Sequence, residues 1–305
     1  MASSTHASVT TDDDARSLWG DVWAEFRNHR GAIAGVAIFV LIVAMVVFGP
    51  MIHTVDPQYA DYRARSAGPS LAHPFGTDNL GRDILAQVLQ GGRTSLAVGV
   101  TAMALSVVLG TFVGVLAGFF RVLDGPLMRL TDLFLALPLL PLLLVVVMLF
   151  RDTLRAAFGP ETGIFILIVT VIGVTSWMQT ARIVRGDVLA LKEREFVLAA
   201  RSIGTPPRRI IGRHVLPNVL SPIMVSATLG IANAIITESA VSFLGLGFPP
   251  DYPTWGQLVN QNQNFLDLAP ERALIPALAI SLTVLSVNFI GDGLRDALDP
   301  RIRGR

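Results

Sequence analysis

Residues 32–52 run without a single charged side chain, between His29-Arg30 on one side and Asp56-Pro57 on the other. Lipid offers no hydrogen bonds, so a segment crossing it must satisfy its backbone internally, and a helix of about 20 apolar residues does this over a core of roughly 30 Å. Apolar runs recur at 94–120, 131–150, 163–180, 222–246 and 273–290, with Asp132 and Glu238 as their only charged residues. The chain therefore reads as an all-α polytopic membrane protein with six transmembrane helices. With 52% hydrophobic and only 15% charged residues, an ordinary soluble domain is excluded.

A net charge of +1 gives no reason to expect nucleic acid or an acidic partner. The absence of cysteine removes disulfides, thiolate metal sites and cysteine nucleophiles. Basic residues accumulate on the cytoplasmic side of membrane proteins. Of the 24 lysines and arginines, only Arg63, Arg65, Arg82, Arg93, Arg151, Arg155 and Arg272 fall opposite the termini in a six-span layout, so both termini are expected to be cytoplasmic. Residues 1–30, with Asp12, Asp13 and Asp14 and no cleavage-site pattern, read as a largely disordered cytoplasmic tail rather than a secretory signal.

Between the first two spans lies a polar loop, 53–92. Thr77 or Asp78 is placed to cap a short amphipathic helix carrying Leu80, Ile84, Leu85, Val88 and Leu89. Arg121, Asp124, Gly125 and Pro126 are expected to break the chain before the third span restarts at Thr131, with Pro138 and Pro141 kinking it. Gly159-Pro160 marks a short turn.

The segment 181–218 is long, basic and interrupted by Pro206-Pro207. Phe196, Ala199, Ala200 and Ile203 recur at helical spacing, which predicts a short amphipathic helix stopped at Gly204. Thr205 is placed to cap a second helix that takes Pro206 at its first position. The segment is thus a folded block, suited either to the close approach of another protein's surface or to lying in the headgroup region with its arginines outward.

The order Leu198-Ala199-Ala200, Gly204, His214-Val215-Leu216-Pro217 resembles the EAA loop of ABC importer permeases, which docks on the ATPase subunit. Leu198 stands where the family has glutamate and His214 where it has isoleucine. The stretches 75–96, 238–256 and 288–303 likewise resemble the peptide and nickel permease family, in particular its dipeptide/oligopeptide C-type subunits. The resemblance implies the type I ABC importer permease fold and a multi-pass place in the bacterial cytoplasmic membrane. It also implies a homologous second permease as partner, two ATPase domains and an extracytoplasmic binding protein that delivers substrate. No G-x-x-x-x-G-K-[ST] sequence is present, and the single lysine, Lys192, follows leucine, so ATP and magnesium belong on the partner ATPases and no cofactor on this chain.

That resemblance assigns the ATPase-coupling role to Phe196, Leu198, Ala199, Ala200, Ile203, Gly204, His214, Leu216 and Pro217. Glu238, about 24 Å along the fifth span at 1.5 Å per residue, is either a gate or pathway residue together with Asn233 or the hydrogen bond that fixes its helix to the turn after it. Asp78, Arg82 and Asp83 lie in the loop where a binding protein would land; the two aspartates are read as caps and ion-pair partners of Arg82 or Arg93, with substrate binding the other reading. His53, His73 and His214 have no metal-ligand spacing, and no catalytic residue is expected. Gly110, Gly114 and Gly118, four residues apart, permit close helix contact either within the chain or at the seam with the second permease. The domain layout expected is a tail at 1–30, the permease at 31–295 and a tail at 296–305. The cargo expected is a di- or oligopeptide, with nickel or another small solute as the alternative; an ion-driven secondary transporter is a rival of another class, disfavoured by the lack of an internal inverted repeat.

Overall fold

The computed structural model describes residues 18–298, which are almost entirely helical and contain no named strand. A short helix α1 (Leu18–Asn28) leads into α2 (Arg30–Ile52). A non-helical loop follows, then α3 (Ile84–Phe119), α4 (Arg121–Ala136), α5 (Leu139–Phe158), α6 (Pro160–Val174) and α7 (Trp177–Leu191). Next come α8 (Glu195–Ser202), α9 (Pro207–Ile210), α10 (Leu216–Phe243), α11 (Trp255–Asn262) and α12 (Glu271–Leu298). Among the described residues, five stretches suffice in length and apolarity to cross a membrane: Arg30–Ile52, Ile84–Phe119, Pro160–Leu191, Pro207–Phe243 and Glu271–Leu298. The pair α4 and α5, bent by 87°, makes a sixth when counted as one span.

α3 is the axis of the molecule, touching α2, α4, α6, α7, α10, α11 and α12. Its glycines make this possible. A Cβ on Gly110 would stand 2.6 Å from the Trp177 carbonyl, on Gly114 2.6 Å from that of Ala181, and on Gly118 2.7 Å from the Val188 Cβ. The repeat is therefore a seam inside this chain, between α3 and α7. Around this axis one apolar core joins α3, α5, α6 and α10 through Val98, Leu143, Val147, Ile164, Ile168 and Ala234. A second, toward the end of α7, joins Val115, Val184, Val188, Val197, Ile210 and Val219.

Several local expectations are corrected. No separate amphipathic helix starts at Thr77 or Asp78. Asp78 Oδ1 is occupied by the N–H groups of Leu80 and Arg82, while Asp83 Oδ1 accepts the Ala86 N–H at 2.7 Å and so begins α3 itself, continuous with the second span. The chain does break before the third span, but at Phe120, and Gly125-Pro126 lie inside α4. The kink expected at Pro138 is present, where Leu137 takes an extended conformation (ψ 135°) before the proline and α4 and α5 bend by 87°, while Pro141 lies within α5. The fourth span runs past Thr180 to Leu191, with a kink at Thr175-Ser176. Pro206, not Thr205, is the cap of α9, and Pro207 takes the first position. α9 then passes through a π-helical turn, Ile211–Val215, straight into α10. Part of the expected disordered tail is α1, whose Val22 and Phe26 bury against Ala32 and Ala297; the rest of that tail and the last residues of 296–305 lie outside the described residues. α11 had no counterpart in the sequence reading.

Two loop systems share one face. Gln58 Nε2 donates to the Asp251 carbonyl (2.7 Å), Arg82 to Gln261 Oε1 (3.3 Å), Trp255 Nε1 to the Val88 carbonyl (2.9 Å) and Arg272 to Ser66 (3.4 Å), so that the loop after α2 and the α10–α12 connection form one cap. α8 sits at the other end of α3, where the Arg201 guanidinium lies 5.1 Å from the Phe119 ring centre and Lys192 reaches the Gly118 carbonyl (3.2 Å).

Candidate functional site

The block after α7 is held by a narrow stripe. Val197 and Ala200 are buried and pack with Val184, Val188, Ile210 and Val215, so α8 is fastened to the ends of α7 and α10. Gly204, at φ +77°, ends the helix in the left-handed conformation, and the Thr205 N–H returns to the Ala200 carbonyl at 3.0 Å. Everything else on α8 faces outward: Phe196 and Leu198 are each 43% exposed and Ile203 82%. Ala199 is exposed with them, while Ala200 points into the chain's own core. The Phe196 and His214 rings lie 6.1 Å apart, so the π turn carries His214 to the edge of the α8 surface. Leu216 is half-buried and Pro217 exposed in the first turn of α10. The result is an apolar surface with arginines around it, on a helix short enough to need the packing beneath it.

Half-way across the bundle is a cavity of about 380 Å³. Met103 of α3, Phe134 to Leu142 of the α4–α5 bend, Thr175 to Ile183 around the α6–α7 kink, and Ser226, Leu229, Gly230, Asn233 and Thr237 of α10 line it. Ser226, Gly230, Asn233 and Thr237 follow i, i+4, i+7, i+11 spacing, one face of a helix. Thr180 and Ser226 bond across the wall at 2.8 Å. A polar helix face of this kind is not stable against lipid tails and belongs to a watered or protein-covered space.

Glu238 lies elsewhere. It is fully buried, with Ser95 Oγ of α3 donating to Oε2 at 2.9 Å and Ser242 Oγ to Oε1 at 2.7 Å. The Trp255 N–H in turn donates to Ser95 Oγ at 3.3 Å. Asn233 thus opens onto the cavity, whereas Glu238 joins α10 to α3 and to the start of α11.

On the loop face, Asp78 Oδ2 accepts from Arg82 Nε (2.7 Å) and Gln87 (3.2 Å). Asp83 lies between two histidines far apart in sequence, with His53 Nε2 3.0 Å from Oδ1 and His73 Nδ1 2.8 Å from Oδ2. Each imidazole meets a different oxygen, a bridged rather than a chelating arrangement. Arg93, one of the expected carboxylate partners, instead donates to the Val46 and Val47 carbonyls of α2. The sequence reading missed Ser176, Gln179, Thr180 and Ser226; polar residues interrupting apolar runs were the available signal.

Residues 106–304 match the family of the binding-protein-dependent transport system inner membrane component, and residues 17–72 match the N-terminal transmembrane domain of oligopeptide transport permease C. The chain is 40% identical over 294 residues to the glutathione transport system permease protein GsiD of Escherichia coli O6:K15:H31, covering 96% of this chain and 93% of that one. It is 38% identical over 289 residues to the oligopeptide transport system permease protein OppC of Bacillus subtilis strain 168, covering 94% and 91%. The inward-facing MetNI methionine ABC transporter has a chain of the same fold, with a TM-score of 0.54 at 19% identity, covering 70% of this chain and 97% of that one.

Proposed function

Since the chain belongs to the binding-protein-dependent inner membrane permeases of the OppC and GsiD type, a multi-pass component of bacterial ABC importers, we propose that it conducts short peptides into the cytoplasm as one half of a permease pair. In this reading an extracytoplasmic binding protein releases the peptide onto the cap formed by the two loop systems, with Asp78, Arg82 and Asp83 shaping that landing surface. The peptide then passes between this chain and a homologous permease, along the polar face of α10 that holds Asn233. Two ATPase domains, which bind the ATP and magnesium, sit against the exposed residues of α8, the π turn and the start of α10. The termini and the α8 block are cytoplasmic, in keeping with their arginines. Glu238 serves as the fastening that keeps the outer end of α10 in place.

The observation that carries this reading is continuity: residues 207–243 run helically from the exposed block to the cavity wall. A displacement of the block therefore reaches Asn233 without crossing a loop. Glutathione, itself a tripeptide derivative, is the second reading, favoured by the relative at 40% identity.

Ile203 gives a clean test, because it is 82% exposed and supports none of the chain's own packing. Ile203→Asp is expected to leave insertion and pairing with the second permease intact, while ATPase co-purification and peptide uptake fall at least about tenfold, as the loss of one buried apolar anchor and the burial of a charge would produce. Unchanged uptake and co-purification would mean that α8 lies in the headgroup region. Ala200→Arg is not equivalent, since Ala200 is part of the internal core.

A further inference from the structure

The cavity wall carries hydrogen-bonding groups but no charge: among its lining residues there is no Asp, Glu, Lys, Arg or His. Charges do occur on the same helices, and those nearest to the wall residues on α7 and α10 are held by other partners. Arg182, one turn beyond Gln179, pairs with Asp132 (2.5 Å), and Arg185 pairs with Asp124 (Nη2 to Oδ2, 2.8 Å). Glu238, one residue past Thr237, is enclosed by serines. Of the polar wall residues, Thr175 and Thr237 donate to carbonyls of their own helices, and Thr180 and Ser226 bond to each other. The side-chain amides of Gln179 and Asn233 have no partner within the described residues, and both residues are exposed to the cavity. They stand on two neighbouring helices, α7 and α10, that both line the cavity.

We propose that Gln179 and Asn233 are the specificity-determining pair of this half of the pathway, offering amide hydrogen bonds to a peptide backbone while leaving its side-chain charges unread. This rests on the peptide reading above and deepens it. An amide donates and accepts, so it matches either edge of a peptide unit and exchanges readily with water. A fixed charge in so confined a space would hold peptides of opposite sign and repel those of like sign, and passage requires binding weak enough to release. A channel dedicated to an anionic tripeptide would be expected to show a cation on its wall; this half shows none.

The test uses the complete importer: this chain with its second permease, ATPases and binding protein in proteoliposomes. Uptake of Ala-Lys-Ala, Ala-Ala-Ala and Ala-Glu-Ala is measured for each variant relative to wild type, so that selection by the unchanged binding protein cancels. Asn233→Asp should lower Ala-Glu-Ala uptake at least about tenfold relative to Ala-Lys-Ala, with Asn233→Lys giving the opposite order and the Gln179 pair of charge variants following suit. Changes of one common factor for all three peptides would overturn the proposal, because that is what a structural role would give. A second measurement does not depend on the cargo. The chain has no cysteine, so Asn233→Cys and Gln179→Cys supply single thiols whose modification is read from the mass of this subunit alone. Cationic and anionic methanethiosulfonates should label each site at a rate ratio within about threefold of that for a free thiol, the margin expected where no fixed charge is near. A ratio displaced tenfold or more, or no labelling at all, would overturn the lining claim. A wild-type importer that takes up none of the peptides would refute the peptide reading, and the thiol result would then decide the lining claim separately.

Discussion

A carboxylate deep in a membrane protein has to find its hydrogen bonds within the chain, because lipid supplies none. Glu238 finds them on Ser95 and Ser242, and its presence in an otherwise apolar run made it visible in the sequence as a special residue. Its partner on α3 was not visible, since Ser95 is 143 positions away and reads as an ordinary serine in a span. The same holds for Asp83: capping was legible, but the two histidines that close on it come from the end of α2 and from the following loop. The geometry at Glu238 yields a graded expectation. Ser95→Ala removes one donor to the carboxylate together with the acceptor of the Trp255 N–H and should destabilise the folded chain by about 1–3 kcal/mol, and Glu238→Leu, which strands both hydroxyls, should cost at least as much. Denaturation of the detergent-solubilised chain would show this order, and equal stability of Glu238→Leu and wild type would exclude the fastening role.

At the scale of elements, the apolar runs located the spans well because their signal is strong and local. Boundaries failed where packing outweighs local preference. Pro126 forfeits one helical bond, yet α4 continues through it because Asp124 and Asp132 are held by Arg185 and Arg182 of α7, contacts invisible to a local reading. Pro138 does break the chain, as its neighbour Leu137 is free to become extended. The glycines of α3 and α4 look alike in sequence and differ in consequence. Gly114→Leu would drive a side chain into the Ala181 carbonyl and Val184, an overpacking worth about 1–3 kcal/mol of destabilisation. Gly125→Ala meets nothing within 4 Å and should stabilise α4 by about 0.5–1 kcal/mol, through the helix preference of alanine alone. Thermal midpoints of the two variants should therefore move in opposite directions.

For the whole molecule, the six-span arrangement and the family were legible because they rest on runs and ordered motifs, while the cavity was not, being assembled from α3, α4, α5, α7 and α10. The chain has no phosphate-binding loop, so the purified polypeptide should show only background ATP hydrolysis, with turnover appearing once the ATPases are added; robust hydrolysis by the chain alone would contradict this. The stretch from Pro207 to Phe243, made fast near its C-terminal end by Glu238, has the proportions of a lever whose load sits between fulcrum and effort. Its long arm, from Glu238 back to Pro207, measures about 46 Å, and its short arm, from Glu238 to Asn233, about 8 Å, at 1.5 Å of rise per residue. A swing of about 6 Å at the Pro207 end then becomes only about 1 Å at Asn233, with the force multiplied by the same ratio. Such gearing turns a large displacement at one end of the bundle into a small, forceful one at the cavity wall.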